Sequence, residues 1–371
     1  MRLIPLDALR GLIIILMALD HANWFVAQKH PPSEMWGGSF PVYSDTLSFL
    51  TRFVTYIAAP GFFFLMGAGM LLFAQSRIQQ GWKWWKITRH FLLRGIILIV
   101  LQVLLINRAW ELSPSGWVVQ TYIGVLFALG GCMIIGSFLI WLKPEYLLVL
   151  TLTLFIGTEL LSPDPSLWNY FQYETILEKL ILLFTRPGGT QEIWSNYPIL
   201  PWLELVTFGM IYAYWLITNP QKAYQKGLVL GMILLIGFIL IRYLNGFGNI
   251  RPLPGSTWID FLNLVKYPPS AAFTMLTLGI VIIFIWVFDR IAQRWRKILY
   301  PLVVFGQAPL FFYILHLFLY AGIGIWLTPN GTSVIAMYPY WILGLLILFP
   351  LSLWFGRFKR SQPGNSIIRL F

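Results

Sequence analysis

Residues 6–21 read LDALRGLIIILMALDH, an apolar run with an aspartate and an arginine near its start and an Asp-His pair at its end. A helix that crosses about 30 Å of hydrocarbon needs about 20 mainly apolar residues, and the stretch 6–27 has that length. We do not expect a cleaved signal peptide, because Asp20 and His21 interrupt the run and no A-x-A-like cleavage site follows. The run therefore predicts a transmembrane helix.

The rest of the chain has the same apolar character. Of its 371 residues, 58% are hydrophobic and 11% are charged, and the mean hydropathy is +0.72, whereas soluble chains carry about 25% charged residues. This composition predicts an all-α, polytopic integral membrane protein with about ten transmembrane helices. The predicted spans are residues 6–27, 46–74, 87–107, 117–142, 145–161, 196–217, 222–244, 268–289, 300–327 and 339–356.

Lysine and arginine are unevenly distributed between the predicted loops. If the N-terminus is inside, the inner loops hold most of the positive excess, in clusters such as 77–89, 290–297 and 357–369, while the outer loops mix basic and acidic residues. This pattern follows the positive-inside rule and predicts that both termini are cytoplasmic. It also accounts for the formal net charge of +12, so we expect no nucleic-acid partner.

From the sequence we predict one membrane-embedded domain over residues 1–371. Its longest outer segment, about 162–197, is rich in proline, glycine and aromatic residues, and we expect it to cap the outer face. The single cysteine, Cys132, excludes an internal disulfide and a Cys-based metal site, and the four histidines lack metal-ligand spacing. Nucleotide-binding glycine loops are missing as well. No metal is expected.

Ionisable residues inside an apolar span are costly and mark candidate functional sites. On a helix, Arg10 and His21 lie about 20° apart and Asp7 lies about 60° from Arg10, so these three form a polar stripe with Asp20 beside it. The structural alternative is that Asp7 pairs with Arg10 at the membrane edge and that His21 hydrogen-bonds to a neighbouring helix. A histidine beside a carboxylate deep in a span favours a general base, because imidazole titrates near neutral pH and the carboxylate can fix its tautomer.

Other spans add cations and a further histidine. Arg94 and Arg10 both fall in the cytoplasmic third, where two arginines suit a polyphosphate ligand that enters from the cytosol. Snorkelling of Arg94 to the interface is the alternative. Arg52 lies in the outer part of the second span. Tyr313 and His316 share one face of the ninth span, where functional and structural roles for His316 are equally open.

Five segments together resemble the heparan-α-glucosaminide N-acetyltransferase-like family of membrane acyltransferases, in its bacterial branch. They are the opening run at 6–21, residues 52–69 with Ala59-Pro60 and Phe64-Leu65-Met66-Gly67, YPILPW at 197–202, KYPPS at 266–270 and PLFFYILH at 309–316. Each motif is weak alone, but five in the same order over nearly the whole chain are specific.

The resemblance implies acyl transfer across a membrane, with a bacterial cytoplasmic membrane as the location. Acetyl-CoA or another acyl-CoA would be held from the cytosolic side by Arg10, Arg94, Asp7 and Tyr313. The acyl group would pass to an amine or hydroxyl of a sugar or glycoconjugate on the other side. The acceptor, the acyl chain length and the oligomeric state, a homodimer included, stay open.

Two histidines compete for the role of base. His21 stands where related glycan acyltransferases place a histidine, and Asp20 adjoins it, whereas the lysosomal enzyme has its catalytic histidine in the following loop, where His30 stands here. We favour His21, as base or as the group that receives the acyl group, with His30 binding or orienting the acceptor. His316 and Tyr313 would donate hydrogen bonds to the developing oxyanion.

The second hypothesis is a proton-coupled transporter, or a lipid or glycolipid flippase, that uses the same His/Asp/Arg path. An inverted repeat or paired broken helices in two halves would favour it, and the sequence shows neither. A non-catalytic scaffold fits the buried histidines and arginines least.

Overall fold

The fold is built from long apolar helices. The computed structural model describes residues 3–31, 34–37, 40–162, 175–363, 366 and 368. Within these residues, seven helical stretches are long and apolar enough to cross a membrane: Thr46–Gln79, Trp84–Glu111, Ile199–Thr218, Pro220–Leu244, Ala271–Gly306, Pro309–Leu327 and Val334–Ser361. The protein is therefore an all-α, polytopic integral membrane protein.

The individual helices follow the chain in order. The first seven are α1 (Ile4–Ala22), α2 (Thr46–Phe53), α3 (Ala58–Gln79), α4 (Trp84–Leu101), α5 (Asn107–Glu111), α6 (Val125–Leu139) and α7 (Pro144–Leu160). The next eight are α8 (Ile176–Phe184), α9 (Ile199–Thr218), α10 (Pro220–Leu244), α11 (Trp258–Leu262), α12 (Ala271–Trp295), α13 (Tyr300–Gly306), α14 (Pro309–Leu327) and α15 (Val334–Ser361). With α1, α6 and α7 added, the seven long stretches match the ten predicted spans in order; that all ten cross the membrane stays a prediction.

Two predicted span boundaries are wrong. The fourth span was expected to start at residue 117, but residues 117–124 are not helical, include strand β1 (Thr121–Ile123), and lead into α6 only after Gly124. β-Branched and aromatic residues are as apolar as helix formers, so composition alone does not separate a strand from a span. Pro339, expected at the start of the tenth span, lies inside α15, which begins after its N-cap Ser333.

The predicted ninth span is a broken helix. α13 ends at Gly306 and α14 restarts at Pro309, with Gln307 and Ala308 between them. Proline has no N–H with which to continue the helical hydrogen bonds, and it is favoured in the first turn of a helix. At this break the Gly306 carbonyl oxygen accepts a hydrogen bond of 3.3 Å from Arg10.

A small three-stranded sheet joins two loops, and the sequence did not predict it. β1 pairs in parallel with β3 (Ile193–Ser195), which pairs antiparallel with β2 (Gly188–Gly189). Strands β2 and β3 and helix α8 belong to the predicted cap at 162–197, of which residues 163–174 lie outside the described residues. The sheet ties this cap to the segment before α6. The single-domain organisation stays a prediction.

Helix α1 contacts α3, α12, α13, α14 and α15, and it links two ends of the bundle. Its first turns lie beside the α13–α14 break, where Gln307 accepts a hydrogen bond from Arg360 near the end of α15. We call this the basic end. Its last turn leads to loops that meet at the opposite end, where the Gln28 amide donates to the Thr328 carbonyl oxygen. We call the end formed by residues 28–31, 34–37, 40–45, 112–124, 185–198 and 263–270 the cap end.

Gly67 on α3 lies so close to α9 that a methyl group added there would overlap the Val206 carbonyl oxygen. Gly67→Ala is therefore expected to force the two helices apart and to cost about 1–3 kcal/mol of stability, as overpacking does. At Gly69, an added Cβ meets no heavy atom within 4 Å, so Gly69→Ala is the matched control. Thermal unfolding in detergent, followed by size-exclusion chromatography, measures both. Equal midpoints for the two variants would contradict this close packing.

Candidate active site

The end of α1 places two histidines around one carboxylate. After His21 the helix continues as a π-helix over Asn23–Ala27, and the chain then turns at Gln28, whose φ is 54°. This turn brings His30 back, so that its Nε2 lies 3.4 Å from Asp20 Oδ1. π-Helical turns are frequent at functional sites.

His21 is hydrogen-bonded to a second histidine, from α14. Its Nδ1 lies 2.7 Å from Nε2 of His316, and Nδ1 of His316 lies 3.0 Å from the carbonyl oxygen of Phe312. A carbonyl oxygen only accepts, so neutral His316 carries its proton on Nδ1 and accepts at Nε2. His21 then donates from Nδ1 and keeps a lone pair on Nε2. The histidine pair thus fixes the tautomer that a general base requires.

A buried ion cluster lies next to these histidines. Arg52, which is 1% exposed, donates two hydrogen bonds to the Glu34 carboxylate, from Nε at 2.7 Å and from Nη2 at 2.6 Å. Its Nη1 donates to Asp20, which also accepts from Thr55 Oγ1 at 3.0 Å. Burial raises the pKa of Glu34, but the Arg52 charge outweighs burial and holds that pKa below its usual value. One guanidinium therefore binds two carboxylates, of which Glu34 is fully buried and Asp20 is 17% exposed.

A second loop closes over this cluster. The backbone N–H groups of Lys266 and Tyr267 donate to the Glu34 carbonyl oxygen at 2.9 and 3.1 Å, and the Trp36 N–H donates to the Tyr267 carbonyl oxygen at 2.9 Å. The Lys266 side chain is buried, and its burial, together with the nearby Arg52 charge, lowers its pKa to about 8. Through Lys266 the loop therefore adds a second buried cation beside the two carboxylates.

A cavity of about 650 Å³ at the cap end is lined by His21 and His30 and by Asp20 and Arg52 of the ion cluster. Its walls are largely aromatic; the rings that line it are Trp24, Trp110, Trp117, Tyr122, Trp194, Tyr197, Tyr267 and Tyr313. Backbone and polar groups of Thr190, Gln191 and Asn196, from the cap, contribute to the same lining. Aromatic rings with a few polar groups suit a ligand that has apolar faces and polar edges, such as a sugar ring.

The predicted phosphate-binding arginines lie at the basic end. Arg10 Nη1 donates to Asp7 Oδ1 at 3.0 Å, and both side chains are partly exposed. Arg94 lies close enough to Arg10 for the two charges to repel each other. Among the described residues, no carboxylate lies within ion-pair distance of Arg94. Two guanidinium groups with one carboxylate favour an anionic ligand.

The eight predicted site residues fall into two groups. Asp20, His21, His30 and Tyr313 line the cavity, and His316 is hydrogen-bonded to His21. Asp7, Arg10 and Arg94 lie at the basic end. The two groups are joined by α1, along which His21 lies about 16 Å from Arg10. Within the described part of the chain, no three His, Cys, Asp or Glu side chains are grouped so that they could hold a metal ion.

Two contacts differ from the expected ones. The Asp20 carboxylate accepts from Arg52 and Thr55, so the residue that orients His21 is His316. Both nitrogens of His316 are engaged, one by His21 and one by the Phe312 carbonyl group, which leaves neither to donate to an oxyanion.

Sequence reasoning missed Glu34 and the aromatic walls. No sequence feature marked Glu34 as a candidate site residue, because an acidic residue in a loop is ordinarily exposed. Trp110 lies near the end of a predicted span, where the membrane interface already explains a tryptophan. Only the folded chain shows that both contribute to one site.

Residues 2–245 match the family described as heparan-α-glucosaminide N-acetyltransferase, catalytic, and the matched region holds Arg10, His21, Arg52 and Arg94. A comparison with individual curated proteins finds no match. The family match covers well over half of the 371 residues, and the chain therefore belongs to the heparan-α-glucosaminide N-acetyltransferase catalytic family.

Proposed function

We propose that the protein is a transmembrane acyltransferase that moves an acetyl or other acyl group from cytosolic acyl-CoA to an amine or hydroxyl of a sugar or glycoconjugate. The observation that carries this proposal is the free Nε2 of His21, fixed by His316 beside an aromatic cavity. The family match supports acetyl transfer. In this proposal the basic end and both termini face the cytosol, and the membrane is the cytoplasmic membrane of a bacterium.

The donor would bind along α1. Arg10 and Arg94 would hold the CoA phosphates, because guanidinium groups bind phosphate oxygens through paired hydrogen bonds. Asp7 orients Arg10 through its 3.0 Å hydrogen bond. The thioester must then reach about 16 Å farther along the helix to meet His21. Tyr313 lines the cavity there, with its ring centroid 5.4 Å from that of His316, and would contact the acyl group.

The acceptor would lie in the cavity with its amine or hydroxyl group against His21. Nε2 takes the proton while the acceptor nitrogen or oxygen bonds to the thioester carbonyl carbon. The tetrahedral intermediate then collapses, the C–S bond breaks with its electron pair on sulfur, and the imidazolium returns the proton to the CoA thiolate. Transfer of the acyl group to Nε2 itself would use the same lone pair.

His30 suits an orienting role better than the role of base. Its Nδ1 lies 2.8 Å from the Pro31 carbonyl oxygen, and its Nε2 lies 3.4 Å from the Asp20 carboxylate. Both nitrogens therefore already face oxygen atoms of the protein, whereas Nε2 of His21 has no hydrogen-bond partner among the described residues. Asp20, held by Arg52, would fix His30 at the edge of the cavity, where it contacts the acceptor.

Arg10→Ala and Arg94→Ala are each expected to weaken acetyl-CoA binding by about 10- to 100-fold, because each removes charge-assisted hydrogen bonds to phosphate. Isothermal titration calorimetry on purified protein in detergent measures the Kd. Arg108→Ala is the matched control, because Arg108 is 57% exposed and pairs with Glu111 away from the basic end. Unchanged affinity in both variants would rule out a CoA site at the basic end. Folded wild-type protein that binds no acyl-CoA would favour the transporter hypothesis instead.

A further inference from the structure

A second group of cations lies one helical turn from Arg94, toward the rim of the basic end. His90 precedes Arg94 by four residues on α4, so the two side chains share a face and their Cβ atoms lie about 6 Å apart. The charges of Arg94 and of Arg77, at the end of α3, both act on His90, and the charge of Arg10 acts on Arg94. These four groups form a continuous basic track from Arg77 to Arg10.

Aromatic rings alternate with the cations at the outer end of this track. The Arg77 guanidinium carbon lies 4.8 Å from the ring centroid of Phe73 and 4.9 Å from that of Trp82. Lys86 Nζ lies 4.2 Å from the Trp82 centroid. His90 stacks on Phe73, with centroids 4.6 Å apart and ring planes at 10°. Flat rings interleaved with cations form a surface on which a purine base stacks.

The charge of this cluster is not balanced within the described part of the chain. No described carboxylate lies within ion-pair distance of Arg77 or Lys86. Arg77 Nη1 donates to Gln80 Oε1, but its buried Nε–H has no acceptor among the described residues. A buried donor without an acceptor is unfavourable. An anion that accepts from Arg77 would remove this cost.

We propose that Phe73, Arg77, Trp82, Lys86 and His90 bind the adenosine 3′-phosphate end of the acyl-CoA, with Arg77 on the 3′-phosphate and Trp82 against the adenine. The assignment rests on the proposed function and names a subsite for its donor. Acyl-CoA carries a diphosphate and, across the ribose, a separate phosphate monoester. Arg10 and Arg94 would hold the diphosphate, and Arg77, beyond His90 on the track, would hold the monoester. A phospholipid headgroup offers the same phosphate chemistry but no purine.

The test compares acetyl-CoA with acetyl-3′-dephospho-CoA, which lacks only the monoester, by calorimetry on detergent-solubilised protein. Arg77→Ala is expected to weaken acetyl-CoA binding about tenfold or more and to change the Kd of the dephospho ligand less than about twofold, because only the first ligand has the phosphate that Arg77 contacts. Arg10→Ala should weaken the binding of both ligands by the same factor. Lys83→Ala, which removes an exposed lysine beside the cluster, should change neither.

Three outcomes would overturn the assignment. If Arg77→Ala weakens the binding of both ligands equally, or of neither, while Arg10→Ala still weakens the binding of both, the subsite is wrong and the proposed function stands. If phosphatidylglycerol, but not phosphatidylcholine, raises the unfolding midpoint only when Arg77 is present, and the two ligands bind the variant alike, the cluster binds lipid. If wild-type protein binds neither ligand, the proposed function fails and the subsite fails with it. Arg77→Gln replaces Arg77→Ala if the alanine variant does not fold.

Discussion

Replacing His21 by alanine is expected to lower kcat for acyl transfer about 10³-fold, within the range for loss of a general base. The physical reason is that both ring nitrogens of His316 and of His30 already face partners within the protein, whereas Nε2 of His21 faces none among the described residues. Acetyl-CoA affinity should stay within about threefold of wild type, because the arginines that would bind its phosphates lie about 16 Å away. Release of free CoA thiol from acetyl-CoA, with glucosamine as the acceptor probe, measures turnover.

His30→Ala is the matched control for this prediction. It removes a second histidine that borders the same cavity and contacts Asp20, but it leaves the His21–His316 pair intact. We expect a raised KM for the acceptor and a smaller loss of kcat. The reverse result, with His30→Ala inactive and His21→Ala active, would transfer the role of base to His30 and leave His21 as a structural partner of His316.

The spans could be predicted from the sequence because each apolar helix satisfies its backbone hydrogen bonds within itself. The same reasoning failed at residues 117–124, where the strand Thr121–Ile123 pairs with Ile193–Ser195 about 70 residues later. Such a pairing leaves no local signal, and β-branched and aromatic residues satisfy an apolar window equally well. Long-range pairing, and not composition, separates the strand from a helix here.

The candidate site, too, could be predicted only in part from the sequence. His21, Asp20 and His316 were found because an ionisable group in an apolar span is costly and therefore stands out. The hydrogen bond between His21 and His316 joins residues 295 positions apart, and no local sequence pattern predicts it. Glu34 was missed because a carboxylate in a loop is ordinary. Its importance comes only from burial beside Arg52, which the sequence does not state.

Arg52→Ala is expected to destabilise the protein by about 3–5 kcal/mol, because it removes the cation that pairs with two carboxylates. Arg52 is 1% exposed and donates to Glu34, which is fully buried, and to Asp20, which is 17% exposed. Without it, Glu34 keeps its backbone contacts with the 263–270 loop but loses its charged partner. Thermal unfolding in detergent measures the loss. Arg108→Ala removes an exposed ion pair and should cost less than about 1 kcal/mol.

The double variant Arg52→Met, Glu34→Gln separates the two contributions of this cluster. Glutamine needs no counter-ion, so part of the lost stability should return, although Asp20 still lacks its cation. The KM for the acceptor should stay above the wild-type value, because Asp20 without Arg52 no longer fixes His30 beside the cavity. An unfolding midpoint for Arg52→Ala equal to that of Arg108→Ala would show that the pairing does not stabilise the fold. Recovery of stability without recovery of the acceptor KM would show that the cluster also positions His30.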